Sequence, residues 1–591
     1  ELDERTVARL LKTILGAARW LAEEHDTFRH GNWQHHGVTG LFELATFWPE
    51  FREAPEWAAL AWQRLLDHLE LDVYADGGHL ERAPSYHAGV LDGYQRVALA
   101  AEFNWSARLQ DQPRFPAMYH WLLTQSTPPG VSTNFNDSGP VWVGPYLAQG
   151  AVVCGDPELK WVAERLGTTE EINRTLSKLP DRPDGTTAAS VFAALPSREP
   201  VATSSLLSAS KFAIMRGGWD QHDLYLSVSY GPLVGHELES HSHLDPLSFI
   251  AFGHGRPLAI EAGCPASYDD PRYHDWYQAA RSHNLVVVDG AAPAPDQKDG
   301  QLLHWSTSPV ADIFQATHDG YRQLGVNHRR TIVFLRGTGW LVHDELQSDG
   351  RHHYAWQIFS PTPLRERDGT YGPNGEPGLI VQPILGGADV ERTQGVMVVP
   401  GSAAYEGTDE RREVEGLRLV RDSESPRACF FVLLTPSEDT VQSAIGQVAP
   451  VPDGAGEAAM IETGNGQTLV AIASGNQRGS WTVNDWTSDA RVWLSRADGA
   501  WVVCDGSRLT RSDSAIVATS APVDSIACWP VGNGWAGEVS TRRRTTIHLG
   551  AIPTWCRIVL NGVTVPTTDA GDTPSFLVPA AGTYLFRVES A

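Results

Sequence analysis

The spacing of apolar residues changes once along this 591-residue chain, and that change constrains the fold more than any other feature. From Leu2 to about Lys178 the period is helical. Val7, Leu10, Leu11, Ile14 and Leu15, then Leu41, Leu44 and Ala45, then Trp57, Leu60, Trp62, Leu65 and Leu66 recur three and four residues apart. Such spacing gathers apolar side chains on one face of each helix. A Pro, Arg and Asp-rich break at Leu179-Pro180 opens a linker that runs to about Pro200. Beyond it the period becomes two. Leu224 to Tyr230, Leu285 to Val288, Thr331 to Leu335, Phe430 to Leu434, Thr545 to Leu549 and Tyr584 to Val588 are short, β-branched and aromatic runs. They read as strands of stacked antiparallel sheets. The expectation is an α+β multidomain protein: a helical domain with its linker over 1–200, a large antiparallel β-sandwich domain over 201–500, and a smaller C-terminal β domain over 501–591.

Charge narrows the partners. With 46 Lys+Arg against 71 Asp+Glu the net charge is −25, which opposes nucleic-acid binding and binding to an acidic membrane surface. An anionic ligand must therefore meet a local positive or hydrogen-bonding site. No run of eighteen or more apolar residues appears, so no membrane insertion is expected, and Glu1 opens the chain without the basic and apolar regions of a signal peptide. The six cysteines (154, 264, 429, 504, 528 and 556) form no CxxC pair and leave one or two bridges open, for instance among Cys504, Cys528 and Cys556.

Chemistry concentrates in His241-Ser242-His243-Leu244-Asp245-Pro246-Leu247-Ser248-Phe249, followed by Glu261 and by Arg281-Ser282-His283-Asn284. Read as a strand, the first stretch points His241, His243 and Asp245 to one face. Burying such a set without partners is costly, so it should bind a metal, line a cleft or close a hydrogen-bond network. Two further groups sit between periodic helices: Gly31-Asn32-Trp33-Gln34-His35-His36-Gly37, and Asp76 to His87 with His79, Glu81, Arg82 and Tyr86.

Together these groups resemble the heparinase II/III-like polysaccharide lyases, from about residue 30 to about 360. Trp48-Pro49-Glu50-Phe51, Asp76-Gly77-Gly78 with Glu81, Tyr86-His87, Phe135-Asn136-Asp137-Ser138, Phe212 to Arg216, the His-x-His stretch and Ser282-His283-Asn284 leading to Asp289-Gly290 carry the resemblance. It implies an N-terminal (α/α) toroid followed by β-sandwich sheets, and β-elimination of a uronate-containing anionic polysaccharide. Only about 31 residues precede Asn32, which implies a trimmed or shortened toroid.

By that resemblance Asn32 contacts the uronate carboxylate, Tyr86 is the catalytic tyrosine and His241 the catalytic histidine, while His243, Glu261 and His283 hold a zinc ion of structural role. Trp33, Gln34, His36, Arg82, His87, Asn136, Asp137, Tyr268 and Arg281 are candidates for lining the sugar cleft. Two positions depart from the family pattern: Trp33 stands where several relatives have histidine, and Glu261 where aspartate is more usual.

The residue types suit the chemistry. Removing the C5 proton beside a carboxylate builds charge that an amide such as Asn32 can stabilise, by the logic of an oxyanion hole. Tyr86 or His241 takes that proton, and an acid protonates the departing C4 oxygen. If both act on one side of the ring, Tyr86 serves as base and acid. If they act on opposite sides, His241 is base and Tyr86 acid. Glycosaminoglycans (heparan sulfate, hyaluronan or chondroitin) are the expected substrates, with alginate as the alternative polymer. Such polymers place the protein in a secreted or periplasmic setting. The readings from other classes are a glycoside hydrolase using Glu81 and Asp137, and a non-catalytic carbohydrate binder stacking sugars on some of its 21 tryptophans.

Overall fold

The computed structural model describes residues 3–231, 241–294, 300–400, 410–423, 425–438, 445–449, 455–475, 477, 479–550, 556–569 and 574–590. Nine α-helices are found among them: α1 (Glu4–Glu24), α2 (Asn32–Phe47), α3 (Ala54–Leu71), α4 (Pro84–Trp105), α5 (Arg114–Thr124), α6 (Val143–Cys154), α7 (Pro157–Leu166), α8 (Thr169–Leu176) and α9 (Ala188–Ala194). Antiparallel sheets follow, so the change of period marks a real change of architecture, from helical toroid to β-sandwich. The helices share one core, in which Leu41, Ala61, Leu65, Leu91, Tyr94 and Leu122 are buried. α9 lies inside the segment expected to be linker: Thr187 caps it by accepting from the Ser190 amide, and Phe192 is buried against the helical core. No described helix is long and apolar enough to cross a membrane.

The chain divides into two compact units, and the division differs from that expected at 200 and 500. The first unit comprises residues 1–300 together with Gln357–Pro361 and Thr393–Gly416; the second comprises Gln301–Trp356, Thr362–Arg392 and Leu417–Ala591. In the first, the helices are joined by a five-stranded antiparallel sheet of β1 (Ser205–Leu207), β2 (Phe212–Arg216), β3 (Tyr225–Ser229), β4 (Phe249–Gly253) and β5 (Arg256–Ala259), in that order. Trp121 and Phe135 from the helical region pack with Phe212, Ile214, Tyr225, Ile250 and Phe252 of this sheet. The late segments tie into the same unit: the Gln357 side chain donates to the carbonyls of Ala280 (2.9 Å) and His283 (2.7 Å), and the Phe359 amide donates to Asn284 Oδ1 (2.8 Å).

The second unit is all β. An eight-stranded sheet includes the neighbours Arg427–Ser437, Gly339–Gln347 and Asn327–Leu335, and a fifteen-stranded sheet runs from Ile445–Ala449 to beyond Gly582–Ser590. Leu341, Phe431 and Leu433 of the first meet Ile461, Val470, Leu494 and Val502 of the second in a shared core. No break falls near residue 500, because Val492–Arg496 pairs with Trp501–Arg511 in continuous register. Cys154, Cys429, Cys504 and Cys528 are free thiols, so Cys504 and Cys528 do not form the bridge that the sequence left open.

Candidate active site

Asn32 opens α2, and the chain is folded around that start. Gly31 caps the helix with φ 99°, a conformation that favours glycine. Its amide donates to Asp72 Oδ2 (2.9 Å), and the same buried carboxylate receives His68 Nδ1 at 2.6 Å. The Asn32 side chain is itself held: Nδ2 donates to both Glu81 oxygens, each at 3.1 Å. Glu81 is followed by Arg82 in a left-handed conformation (φ 53°). That turn is stabilised by the buried guanidinium, which donates to Ser210 O (2.8 Å) and Ser229 Oγ (2.9 Å) and lies over the Phe212 ring. Two residues beyond, α4 begins at Pro84, so Tyr86 stands in its first turn.

His241 does not lie on a strand. The stretch from His241 to Ser248 is irregular, and β4 starts only at Phe249, because Pro246 supplies no amide and Leu247 has φ 61°. The two-residue alternation expected there is therefore absent. The histidines converge by another route: Asp137 Oδ2 receives His241 Nδ1 at 3.0 Å, and Asp137 Oδ1 receives His243 Nε2 at 2.9 Å. Tyr273, on the π-helical turn Tyr273–Tyr277, donates its hydroxyl to Asp137 Oδ2 at 2.5 Å. Burial alone would raise the Asp137 carboxyl, but its hydrogen bonds from His241 and His243 and their charge hold it below the usual carboxylate range. In the neutral tautomer that donates from Nδ1, the lone pair of the His241 ring is on Nε2.

The Tyr86 ring stacks on His241, with centroids 3.9 Å apart and planes 30° from parallel. Its hydroxyl meets that of Tyr268 at 2.6 Å. Burial raises the Tyr86 phenol above its ordinary value, and nearby Asp137 and Glu81 push the same way while the Tyr268 hydrogen bond pulls back. Tyr86 is thus a neutral phenol at neutral pH. Tyr86 of the helical region thus lies directly against His241, while Asn32 is joined to Glu81, whose charge acts on Tyr86.

The proposed metal ligands divide. Glu261 bonds His283 Nδ1 and the Ser248 hydroxyl. Nδ1 of His243 and Nε2 of His283 are buried without a hydrogen-bond partner, as is Asp245 Oδ2, and the two rings lie 5.2 Å apart. Orphaned donor atoms of this kind fit a bound cation. Among the described residues, the group of three metal-type donors gathered most closely lies elsewhere, at His343, Cys429 and Glu457 in the second unit.

Other sequence candidates are placed as follows. Trp33 is 88% exposed beside Asn32, and His36 is exposed on α2. Gln34 is buried, donating to Thr27 O (2.8 Å) and accepting from the Arg29 amide (2.7 Å). His87 is fully buried between the Met118 carbonyl and the His79 amide, and burial with the nearby His79 pushes it down to about 3. Asn136 (φ 59°) donates to Arg82 O and accepts from the His243 amide. Arg281 is exposed, donates to Asp275 O and lies over Trp276. Arg82, Gln34, His87 and Asn136 thus spend their polar atoms inside the protein. Tyr273 escaped sequence reasoning, since nothing local ties it to Asp137, which lies 136 positions earlier.

Comparison with known proteins agrees with this geometry. The profile described as Heparinase II/III N-terminus matches residues 1–147, and that described as Heparinase II/III-like, C-terminal matches residues 199–362. The chain belongs to the heparinase II/III-like family. Curated relatives include a heparin-sulfate lyase of Pedobacter heparinus, 23% identical over 325 residues (54% of this chain, 44% of the relative). Another, from Bacteroides thetaiotaomicron, is 23% identical over 329 residues (52% and 43%). The matched region thus spans less than half the length of either relative. Among solved structures, one described as heparinase III covers 79% of this chain and 71% of its own at TM-score 0.63 and 16% identity. The heparan sulfate lyase HepC from Pedobacter heparinus covers 79% and 70% at TM-score 0.60 and 17% identity. These likenesses establish the heparinase II/III-like fold, a toroid followed by β-sandwich sheets.

Proposed function

We propose that this heparinase II/III-like protein is a polysaccharide lyase that cleaves a glycosaminoglycan at a uronate by β-elimination, leaving unsaturated oligosaccharides. The observation that carries the reading is the Tyr86 ring stacked on His241, backed by Asp137 and accompanied by an Asn32 amide fixed by Glu81. The relatives named heparin-sulfate lyases support the same substrate class.

The roles follow from the hydrogen bonds. Asn32 Nδ2 sits equally between the two Glu81 oxygens, which one of its hydrogens can serve, leaving the other for the uronate carboxylate as charge builds, a contribution of about 3 kcal/mol for a well-placed donor. His241 Nε2 takes the C5 proton, because its Nδ1 hydrogen is committed to Asp137. Tyr86, a neutral phenol, gives its proton to the C4 oxygen as the bond to the leaving sugar breaks, and the C4–C5 double bond forms from the electrons of the C5–H bond. His241 then loses its extra proton to solvent and Tyr86 regains one from solvent, which restores both groups. The stacking of the two rings supports a separate base and acid working from one side of the sugar, a third arrangement beside the two that the sequence left open. That suits glucuronate, whose C5 hydrogen and C4 oxygen share a face, over iduronate, where they oppose each other.

His243, Glu261 and His283 would hold a divalent metal, zinc by its nitrogen and carboxylate donors, and when bound it would fix the His243 ring beside His241. The hydrolase reading loses its carboxylate pair: Glu81 is spent on Asn32, and Asp137 on three donors. Action on extracellular polymers fits a secreted or periplasmic protein.

The test is an ultraviolet assay for conjugated uronate products on unsulfated glucuronate-only, iduronate-rich, hyaluronan, chondroitin and alginate polymers. Glucuronate-containing chains should yield absorbance that vanishes in Asn32→Ala and Tyr86→Phe. Saturated reducing ends from any polymer, or no product from all five, would overturn the proposal.

A further inference from the structure

A second chemical cluster lies in the all-β unit, built from residues other than those assigned above. His343 on strand Gly339–Gln347 and Cys429 on strand Arg427–Ser437 are neighbours in the eight-stranded sheet. Glu457 comes from strand Gly456–Thr463 of the fifteen-stranded sheet. His343 Nε2 lies 2.7 Å from Glu457 Oε2 and 3.3 Å from Cys429 Sγ, and all three residues are buried. One ligand atom from each falls within 4.8 Å of the others.

Hydrogen bonds alone satisfy this arrangement poorly. A ring nitrogen carries either one hydrogen or one lone pair. If Nε2 carries hydrogen, its short contact to Glu457 uses it and the thiol hydrogen has no acceptor on that nitrogen. If Nε2 carries the lone pair, it accepts from the thiol and faces the carboxylate lone pair to lone pair. A cation between the three atoms removes the conflict.

The surroundings also suit an ion. Arg427 donates Nη2 to Glu457 Oε2 (2.7 Å) and Nε to Glu345 Oε1 (2.6 Å), and the Gly475 amide donates to Glu345 as well. Glu345 thereby offsets the arginine, and the Cys429 thiolate with Glu457 offsets a divalent ion. A thiolate, an imidazole and a carboxylate together select zinc over magnesium or calcium, which prefer oxygen.

We propose that His343, Cys429 and Glu457 form a zinc site that clamps the two sheets of the second unit together. Its buried position assigns it a structural role. A fourth coordination position is left for water or for the second Glu457 oxygen. The site is independent of the metal proposed beside His241, whose ligands include no thiol.

Cobalt substitution of the full-length protein separates the two. After chelation and refilling with Co(II), the thiolate should produce a near-ultraviolet charge-transfer band that disappears in Cys429→Ser and persists in His243→Ala. Elemental analysis should show Cys429→Ser holding one zinc fewer than the unaltered protein. If that variant fails to fold, thiol labelling of the unaltered protein decides: added zinc should shield Cys429, among the six cysteines, from an alkylating agent in mild denaturant. Absence of the band, its survival in Cys429→Ser, or equal labelling with and without zinc would overturn the assignment.

Discussion

Two buried aspartates, one in each unit, show how similar hardware serves different ends. Asp344 in the second unit receives His328 Nε2 (2.6 Å), Arg330 Nε (2.7 Å) and Nη2 (2.9 Å), and Trp356 Nε1 (2.9 Å), and it is wholly sealed from solvent. Asp137 in the first unit receives two imidazoles and a phenol, and one of those imidazoles, His241, keeps part of its edge exposed and a tyrosine stacked on its face. A guanidinium never gives up its proton in a protein, so the Arg330–Asp344 pair at the heart of this hub keeps its charges at neutral pH. The Asp137 hub is built from donors that can change protonation, and one of them reaches the surface. Permanent charge closed on itself makes a strut; exchangeable protons with an open edge suit the proposed reaction centre.

The sharpest way to break this contrast is Tyr86→Phe. It should lower kcat/KM by about 10² to 10⁴ while leaving the melting temperature nearly unchanged, as kinetics paired with calorimetry will show. Asp344→Ala should do the reverse. Stranding Arg330 without its carboxylate should cost about 3 to 5 kcal/mol in denaturant melts, with turnover retained below the melting transition. Asp137→Asn sits between the two. Loss of the anchor behind His241 should cut kcat about 10- to 100-fold, because the ring is no longer held in place, with KM little changed.

Acidification offers a milder probe. Burial would raise the Asp344 carboxyl, but Arg330 and His328 outweigh it and hold it far below the ordinary range. Its folded value lies below its unfolded value, so its stabilisation is complete above about pH 4 and is lost as pH falls further. Melts of Asp344→Asn should therefore lose less stability between pH 5 and 2 than the parent. The smallest effect belongs to Trp33→Ala. This exposed ring beside Asn32 should raise KM for polymer by about two- to fivefold if it stacks on sugar, and an unchanged KM would remove it from the cleft.

Much of this was legible in the chain. Apolar spacing separated helices from strands, while Asn32, Tyr86 and His241 were singled out by the resemblance to the heparinase II/III-like lyases and not by spacing. What could not be read was the geometry between segments. The His241 stretch looked like a strand because its residues alternate, yet Pro246 and the left-handed Leu247 break it. Arg82 and His87 looked like cleft residues because they flank Tyr86, but their polar atoms turn into the interior. Tyr273 and Asp137 are joined only by folding. Nor does any local pattern announce that residues 357–361 and 393–416 rejoin the first unit.

That return has a consequence for how the protein is made. The carbonyl of His283 and the side chain of Asn284 are braced by Gln357 and Phe359, and the Trp276 indole donates to Val396 O (2.7 Å). A nascent chain that has emerged only as far as residue 300 therefore holds every named catalytic group yet lacks the props behind them. Ribosomes must deliver nearly a hundred further residues before the proposed reaction centre can set, so premature termination in that interval should yield fragments that bear the full chemical inventory and turn over nothing.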